Sequence, residues 1–198
     1  MSKQLLVEYT QFNITPQQLN ESLKNNGKLI VTGVIQRADV PNQNGRIYPM
    51  DILKREANNY TNNFIKNHQA VGELDHPNSD TISLKNVSHN ILELWWKGNE
   101  LCAKIEILTT PSGNILSELI KNGITVGISS RGMGSVKEIN ESTVEVQNDF
   151  EILCWDFVST PSTHGAFMRP INESKGNKTE IVDKYAKVKQ IIDNILIS

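Results

Sequence analysis

Val126-Gly127-Ile128-Ser129-Ser130-Arg131-Gly132-Met133-Gly134 carries an apolar run into a Gly/Arg turn, with two serines at the junction. An apolar strand that ends in a small polar nucleophile holds a hydroxyl at a rigid edge. Backbone N–H groups of the following turn can then face an oxyanion. Neighbouring side chains of an extended strand point to opposite faces, so only one of Ser129 and Ser130 faces a given partner. By itself the pair also reads as an ordinary turn. Its weight comes from its flanks. Upstream stands Gly72-Glu73-Leu74-Asp75-His76-Pro77, and downstream Cys154-Trp155-Asp156-Phe157-Val158-Ser159-Thr160-Pro161. A serine, a histidine and an acid, each at the edge of an apolar segment, are the parts of a hydrolytic triad.

Outward from this stretch, strand signals dominate. Thr125 to Ile139, Thr143 to Val146 and Phe150 to Val158 read as strands. Asn90 to Trp96 and Leu101 to Leu108 read as a hairpin across Lys97-Gly98-Asn99-Glu100, and Lys28 to Asp39 is β-rich. Two internal helices are expected. Asp51 to Asn67 places Ile52, Leu53, Ala57, Tyr60 and Phe64 at helical spacing, and Pro111 to Asn122 is stopped by Gly123. No regular βαβ alternation appears, which disfavours a doubly wound parallel sheet. The expected fold class is α+β: a mostly antiparallel, closed or nearly closed β-barrel core surrounded by helices.

Three segments are expected. Residues 1–27 form an N-terminal appendage, with a short strand at Leu5-Leu6-Val7-Glu8-Tyr9 and a helix that starts at Thr15-Pro16. Residues 28–171 form the main domain. Residues 172–198 are a polar linker and a C-terminal helix, whose Ile181, Tyr185, Val188, Ile192 and Ile195 alternate by four and three on one seam.

The chain of 198 residues, 38% hydrophobic, is long enough to bury one core and leave a tail. A net charge of −2 with no basic block argues against a nucleic-acid partner. The two cysteines, Cys102 and Cys154, sit in apolar strand-like runs, with no Cys/His spacing for zinc. A reduced state fits them better than a disulfide. No metal or organic cofactor is expected. No signal peptide opens the chain, and no apolar run reaches the roughly 18 residues of a membrane span.

Five blocks together resemble the prohead maturation proteases of tailed bacteriophages, whose fold is shared with the herpesvirus assemblin proteases. They are Asn44-Gly45-Arg46-Ile47-Tyr48-Pro49, the His76 block, Leu94-Trp95-Trp96-Lys97-Gly98-Asn99, the Ser129 block, and Trp155-Asp156-Phe157-Val158 with Pro161. They span residues 30 to 170 in the order of the branch found in large myoviruses. The resemblance implies a serine endopeptidase that cleaves scaffold, core and capsid proteins, and itself, inside a prohead in the bacterial host cytoplasm. A homo-oligomer is expected. The nucleophile maps to Ser129 and the general base to His76. Asp156 is the best match for the third member. Arg131 and Gly132 map beside the oxyanion site. Relatives in this branch cleave after a glutamate with Ile or Leu two residues earlier. Ile171-Asn172-Glu173 fits that preference, as do Ile139-Asn140-Glu141 and Leu6-Val7-Glu8, so self-cleavage is expected at Glu173–Ser174.

Each assignment has a rival. Ser130 competes with Ser129. His164 competes with Asp156, because the viral relatives use a second histidine as third member. His68 reads as a solvated helix-end residue and His89 as structural. Asp156, between Trp155 and Phe157, could also be an outward-facing strand residue. At the level of the whole chain, one rival is an inactive core or scaffold protein that keeps the protease fold. An esterase is the other, but no Gly-x-Ser-x-Gly elbow stands within a βα pattern.

Overall fold

A computed structural model of the chain describes residues 3–12, 14, 28–75, 77 and 79–159. The helix expected from Thr15, the residues His76 and His164, the linker and the seam helix lie outside the described residues.

Ten strands and two α-helices follow one another in the described chain. β1 (Gln4–Phe12), β2 (Leu29–Arg37) and β3 (Arg46–Ile47) precede α1 (Met50–Tyr60). Next come β4 (Val71–Glu73), β5 (Val87–Lys97), β6 (Glu100–Ile107) and α2 (Pro111–Lys121). β7 (Val126–Gly134), β8 (Val136–Asn140), β9 (Thr143–Val146) and β10 (Glu151–Val158) complete the order. The architecture is α+β with mostly antiparallel pairing.

The strands fall into three sheets, ordered β1-β7-β10, β2-β6-β5-β4 and β3-β9-β8. Only β3 with β9 runs parallel within a sheet. The first two sheets touch where Leu74 bridges Phe157 in parallel and the Asp75 N–H donates to the Phe157 carbonyl at 2.8 Å. Their far ends, β1 and β2, also lie against each other. There Gln36 Nε2 donates to Glu8 Oε2 at 2.7 Å. A fully closed ring of hydrogen-bonded strands is not found among the described residues.

Residues 4–12 differ from an appendage. β1 pairs residue for residue with β7, from Gln4 opposite Gly134 to Phe12 opposite Val126. Leu6 and Phe12 are buried in the core, so apolar burial holds this segment inside the sheet. The long strand expected from Thr125 to Ile139 is broken at Ser135, where the backbone N–H and the hydroxyl both turn to Asp149 Oδ1, at 3.0 and 2.9 Å. α1 stops being a regular α-helix at Tyr60. The next turn widens to i→i+5 bonds, Lys66 N to Thr61 O at 3.0 Å and Gln69 N to Phe64 O at 2.8 Å. α2 starts at Pro111 as expected, and Thr110 Oγ1 caps it by accepting from Gly113 N at 3.1 Å.

The core runs between the sheets and α1. Trp155, Tyr60, Tyr48, Phe150, Phe12 and Phe157 are its largest apolar side chains, with Tyr60 edge-on to Trp155 at 4.9 Å and Phe12 edge-on to Phe157 at 5.3 Å.

Candidate active site

β7 is the central strand of its sheet, paired on one side with β1 and on the other with β10. A strand held by two ladders is a rigid mount for a reactive group. Register then decides which side chains meet. Ser129 stands opposite Asp156 on β10 and Tyr9 on β1. Directly opposed residues of an antiparallel pair share a face, so Ser129 and Asp156 lie on one side of the sheet. Arg131, two residues on, is on that same side. Ser130, opposite Trp155 and Glu8, is on the other. The two serines are therefore separated as strand geometry requires.

Ser129 is 2% exposed and Ser130 fully buried, and neither Oγ has a hydrogen-bond partner among the described residues. A buried hydroxyl without a partner is uncommon and calls for a physical reason.

Asp156 is fully buried and embedded in an ionic cluster. Its Oδ1 accepts from the Glu73 backbone N–H at 2.9 Å and from Arg131 Nη2 at 3.1 Å, and Cys154 Sγ approaches it at 3.5 Å. Its Oδ2 lies 2.6 Å from Arg131 Nε, an ion pair bent too far to be a good hydrogen bond. Arg131 is 1% exposed and also donates to Glu73 Oε1 at 2.9 Å. Burial disfavours the guanidinium charge, but the surrounding Cys154, Asp156 and Glu73 more than compensate, and its pKa rises above the ordinary arginine value. Asp156 is thus not an outward-facing strand residue.

The two residues expected near the oxyanion, Arg131 and Gly132, are both closely packed in the fold. The Arg131 side chain points at carboxylates. Gly132 sits under Phe150: a Cβ there would lie 2.4 Å from the Phe150 ring and 2.7 Å from the Glu151 carbonyl, so only glycine fits. Beside it, β10 carries an irregularity between Ile152 and Cys154 that shifts its register against Gly132 and Arg131.

His89 is buried and structural. Its Nε2 must donate to the Trp155 carbonyl at 2.9 Å, because a carbonyl only accepts, which leaves Nδ1 to accept from Ser88 Oγ at 2.9 Å. Burial is the main cause that pushes its pKa down to about 4.

Sequence reasoning passed over Glu73, which belongs to the same Gly72–Pro77 block as His76. An acid flanked by Gly72 and Leu74 in a short strand was a signal of a buried, paired carboxyl. The mixed cluster of Glu8, Gln36 and Trp155 on the Ser130 face was also missed. Trp155 Nε1 donates to Gln36 Oε1 at 3.3 Å, and Gln36 in turn donates to Glu8.

An antiparallel α+β scaffold with an unpartnered buried serine opposite a buried acid is a frame for hydrolytic chemistry. The chain belongs to the prohead core protein serine protease family, whose model matches residues 11–176. It is 33% identical over 152 residues to the prohead core protein protease of Enterobacteria phage T4, spanning 74% of this chain and 72% of that protein. Its fold is similar to the solved structure of the bacteriophage T4 capsid assembly protease, gp21. That similarity has a TM-score of 0.72 and 29% identity, and covers 80% of this chain and 99% of the other.

Proposed function

We propose that this protein is a serine endopeptidase that cleaves scaffold, core and capsid proteins inside a phage prohead, in the host cytoplasm, and that it trims itself. The observation that carries the reading is the register that sets Ser129, and not Ser130, opposite the buried Asp156 on a strand held from both sides. Family membership supports a protease. In this reading His76 takes the Ser129 proton as the hydroxyl attacks the scissile carbonyl, then returns it to the leaving amine, and water resolves the acyl-enzyme. Asp156 orients the imidazole. Backbone N–H groups around Arg131 and Gly132 are assigned to the oxyanion.

The test is cleavage of phage core protein by the full chain. Ser129→Ala abolishes it and leaves the fold intact. Ser130→Ala keeps activity, because its side chain faces away. Activity in Ser129→Ala, with loss in Ser130→Ala, would reverse the assignment. Peptide cleavage by the purified protein excludes the inactive-scaffold alternative, and ester hydrolysis without peptide cleavage would favour an esterase. Self-cleavage is assigned to Glu173–Ser174, where Ile171-Asn172-Glu173 fits the preference of relatives. Intact mass of active protein against Ser129→Ala checks it. Retention of residues 174–198 by the active form, after prolonged incubation with assembled core, counts against it.

A further inference from the structure

The contacts of Arg131 bracket the chain on both sides of His76. On the incoming side, Arg131 Nη2 donates to Glu73 Oε1 at 2.9 Å, and Asp156, which Arg131 pairs with, accepts the Glu73 N–H at 2.9 Å. On the outgoing side, Arg131 Nη1 donates to the Ser79 carbonyl at 2.9 Å and lies 3.5 Å from the Thr81 carbonyl. Glu73 fastens the same segment further along: its Oε1 accepts from Ser83 N at 2.9 Å and its Oε2 from Asn86 Nδ2 at 3.2 Å. Asp75, just before the histidine, has a φ of 66° and donates its N–H to the Phe157 carbonyl at 2.8 Å.

A guanidinium presents five N–H groups in one rigid plane, so one side chain can join several backbone segments; an ammonium cannot hold that fork. Here each nitrogen of the fork has a protein oxygen within reach: Nη1 the Ser79 carbonyl, Nη2 Glu73 and Asp156, Nε Asp156. None is aimed at open space where an oxyanion could sit. Yet Arg131 and Ser129 share a face of one strand, so what Arg131 grips is fixed relative to the serine hydroxyl.

We propose that Arg131, with Glu73 as its counterpart, is a positioning residue that fastens the segments before and after His76 in sequence, at Glu73 and at Ser79, to the strand carrying Ser129. The proposal rests on the reading of Ser129 and His76 as the catalytic pair and gives the Arg131 side chain a different task from oxyanion binding. Misplacement of a catalytic group by about 1 Å costs on the order of 100-fold in rate, so a loosened loop lowers kcat more than KM.

The experiment uses the full chain with Arg131→Lys and Glu73→Gln. Cleavage of core protein gives kcat and KM, and amide hydrogen exchange reads residues 79–86 against the β5–β6 hairpin. Both variants are expected to lose at least about tenfold in kcat with KM within about threefold, and to exchange faster over 79–86 while the hairpin is unchanged. A fall in kcat with unchanged exchange over 79–86 overturns the proposal, since Arg131 then acts at the reacting atoms. Faster exchange with full activity overturns it too. If Arg131→Lys does not fold, Glu73→Gln makes the same comparison with Arg131 and its Asp156 pair intact. Cleavage retained by Ser129→Ala removes the functional reading alone, and the exchange comparison then still decides whether the fastening exists.

Discussion

At the scale of single residues, the site is a case of charge buried only because it is paired. Moving an ion out of water costs several kcal/mol even after relaxation, and the cost is recovered only with close partners and filled hydrogen bonds. Arg131, Asp156 and Glu73, each 1% exposed or less, meet that condition together. The sequence showed Asp156 as a costly acid between two aromatic residues, but Arg131's commitments could not be read. Its partners lie 58 and 25 residues away, and only strand register brings them into contact. The separation of Ser129 and Ser130 onto opposite faces was legible, because period 2 is a property of any strand. Asp156→Asn tests the acid directly. It keeps an acceptor for Glu73 N and removes one of two negative partners of Arg131. Turnover should fall by about two to four orders of magnitude, as at a triad acid. The denaturation midpoint should also fall, because Arg131 loses a charge partner. Steady-state kinetics and urea melts measure both. Turnover within tenfold of the parent would pass the third role to His164.

At the scale of elements, what was legible was local. The β5–β6 hairpin announced itself through Gly98, which sits at φ 62° in its turn, and α2 through Gly123 just past its end, at φ 73°. What was not legible depended on partners distant in sequence. β3 has two residues and exists only through its parallel pairing with β9, and β4 has three, held between β5 and the side of β10. The seat of β4 is so close that Gly72 has no room for a side chain. A Cβ there would lie 2.1 Å from the Trp155 carbonyl and 2.5 Å from the His89 ring. The first obstacle is backbone and the second a ring held by two hydrogen bonds, so neither yields cheaply. Gly72→Ala should therefore destabilise the protein by at least about 1–3 kcal/mol, the usual cost of overpacking a filled core. It should also lower cleavage disproportionately, since β4 leads directly to His76. Parallel urea titrations and kcat measurements check this. A stable Gly72→Ala protein with parental activity would mean that β4 can be displaced from β10 without consequence.

At the scale of the whole molecule, the fold class was legible and the closure of the barrel was not. Alternating strands and two helices with no βαβ rhythm pointed to antiparallel α+β. Whether outer strands join by a ladder depends on side chains that meet across the interior, here Gln36 and Glu8 between β2 and β1, with Trp155 of β10 hydrogen-bonded to the same Gln36. This polar link makes stability depend on pH. Burial raises the Glu8 carboxyl from 4.5 to about 8, only partly offset by Gln36, Asn42 and the more distant Arg46 and Arg37. Its folded pKa is raised, so its contribution to stability is full below about 4.5 and is lost as pH climbs to about 8, because the unfolded chain ionises first. His89 acts in the opposite sense. Its folded pKa drops from 6.5 to about 4, so its contribution is full above about 6.5 and is lost as pH falls to about 4. Between pH 4.5 and 6.5 the two slopes oppose each other. Between 6.5 and 8 only Glu8 of this pair still titrates differently in the two states, so it pulls stability down with pH by at most about 1.4 kcal/mol per unit. Glu8→Gln keeps an acceptor for Gln36 and removes the ionisation. Its stability relative to the parent should rise steadily from pH 5 to pH 8, as urea melts at pH 5, 6.5 and 8 would measure. A mutant-to-parent difference that stays constant over that range would show that Glu8 keeps an ordinary carboxyl pKa in the folded protein, and that the β1–β2 link is made with its ionised form.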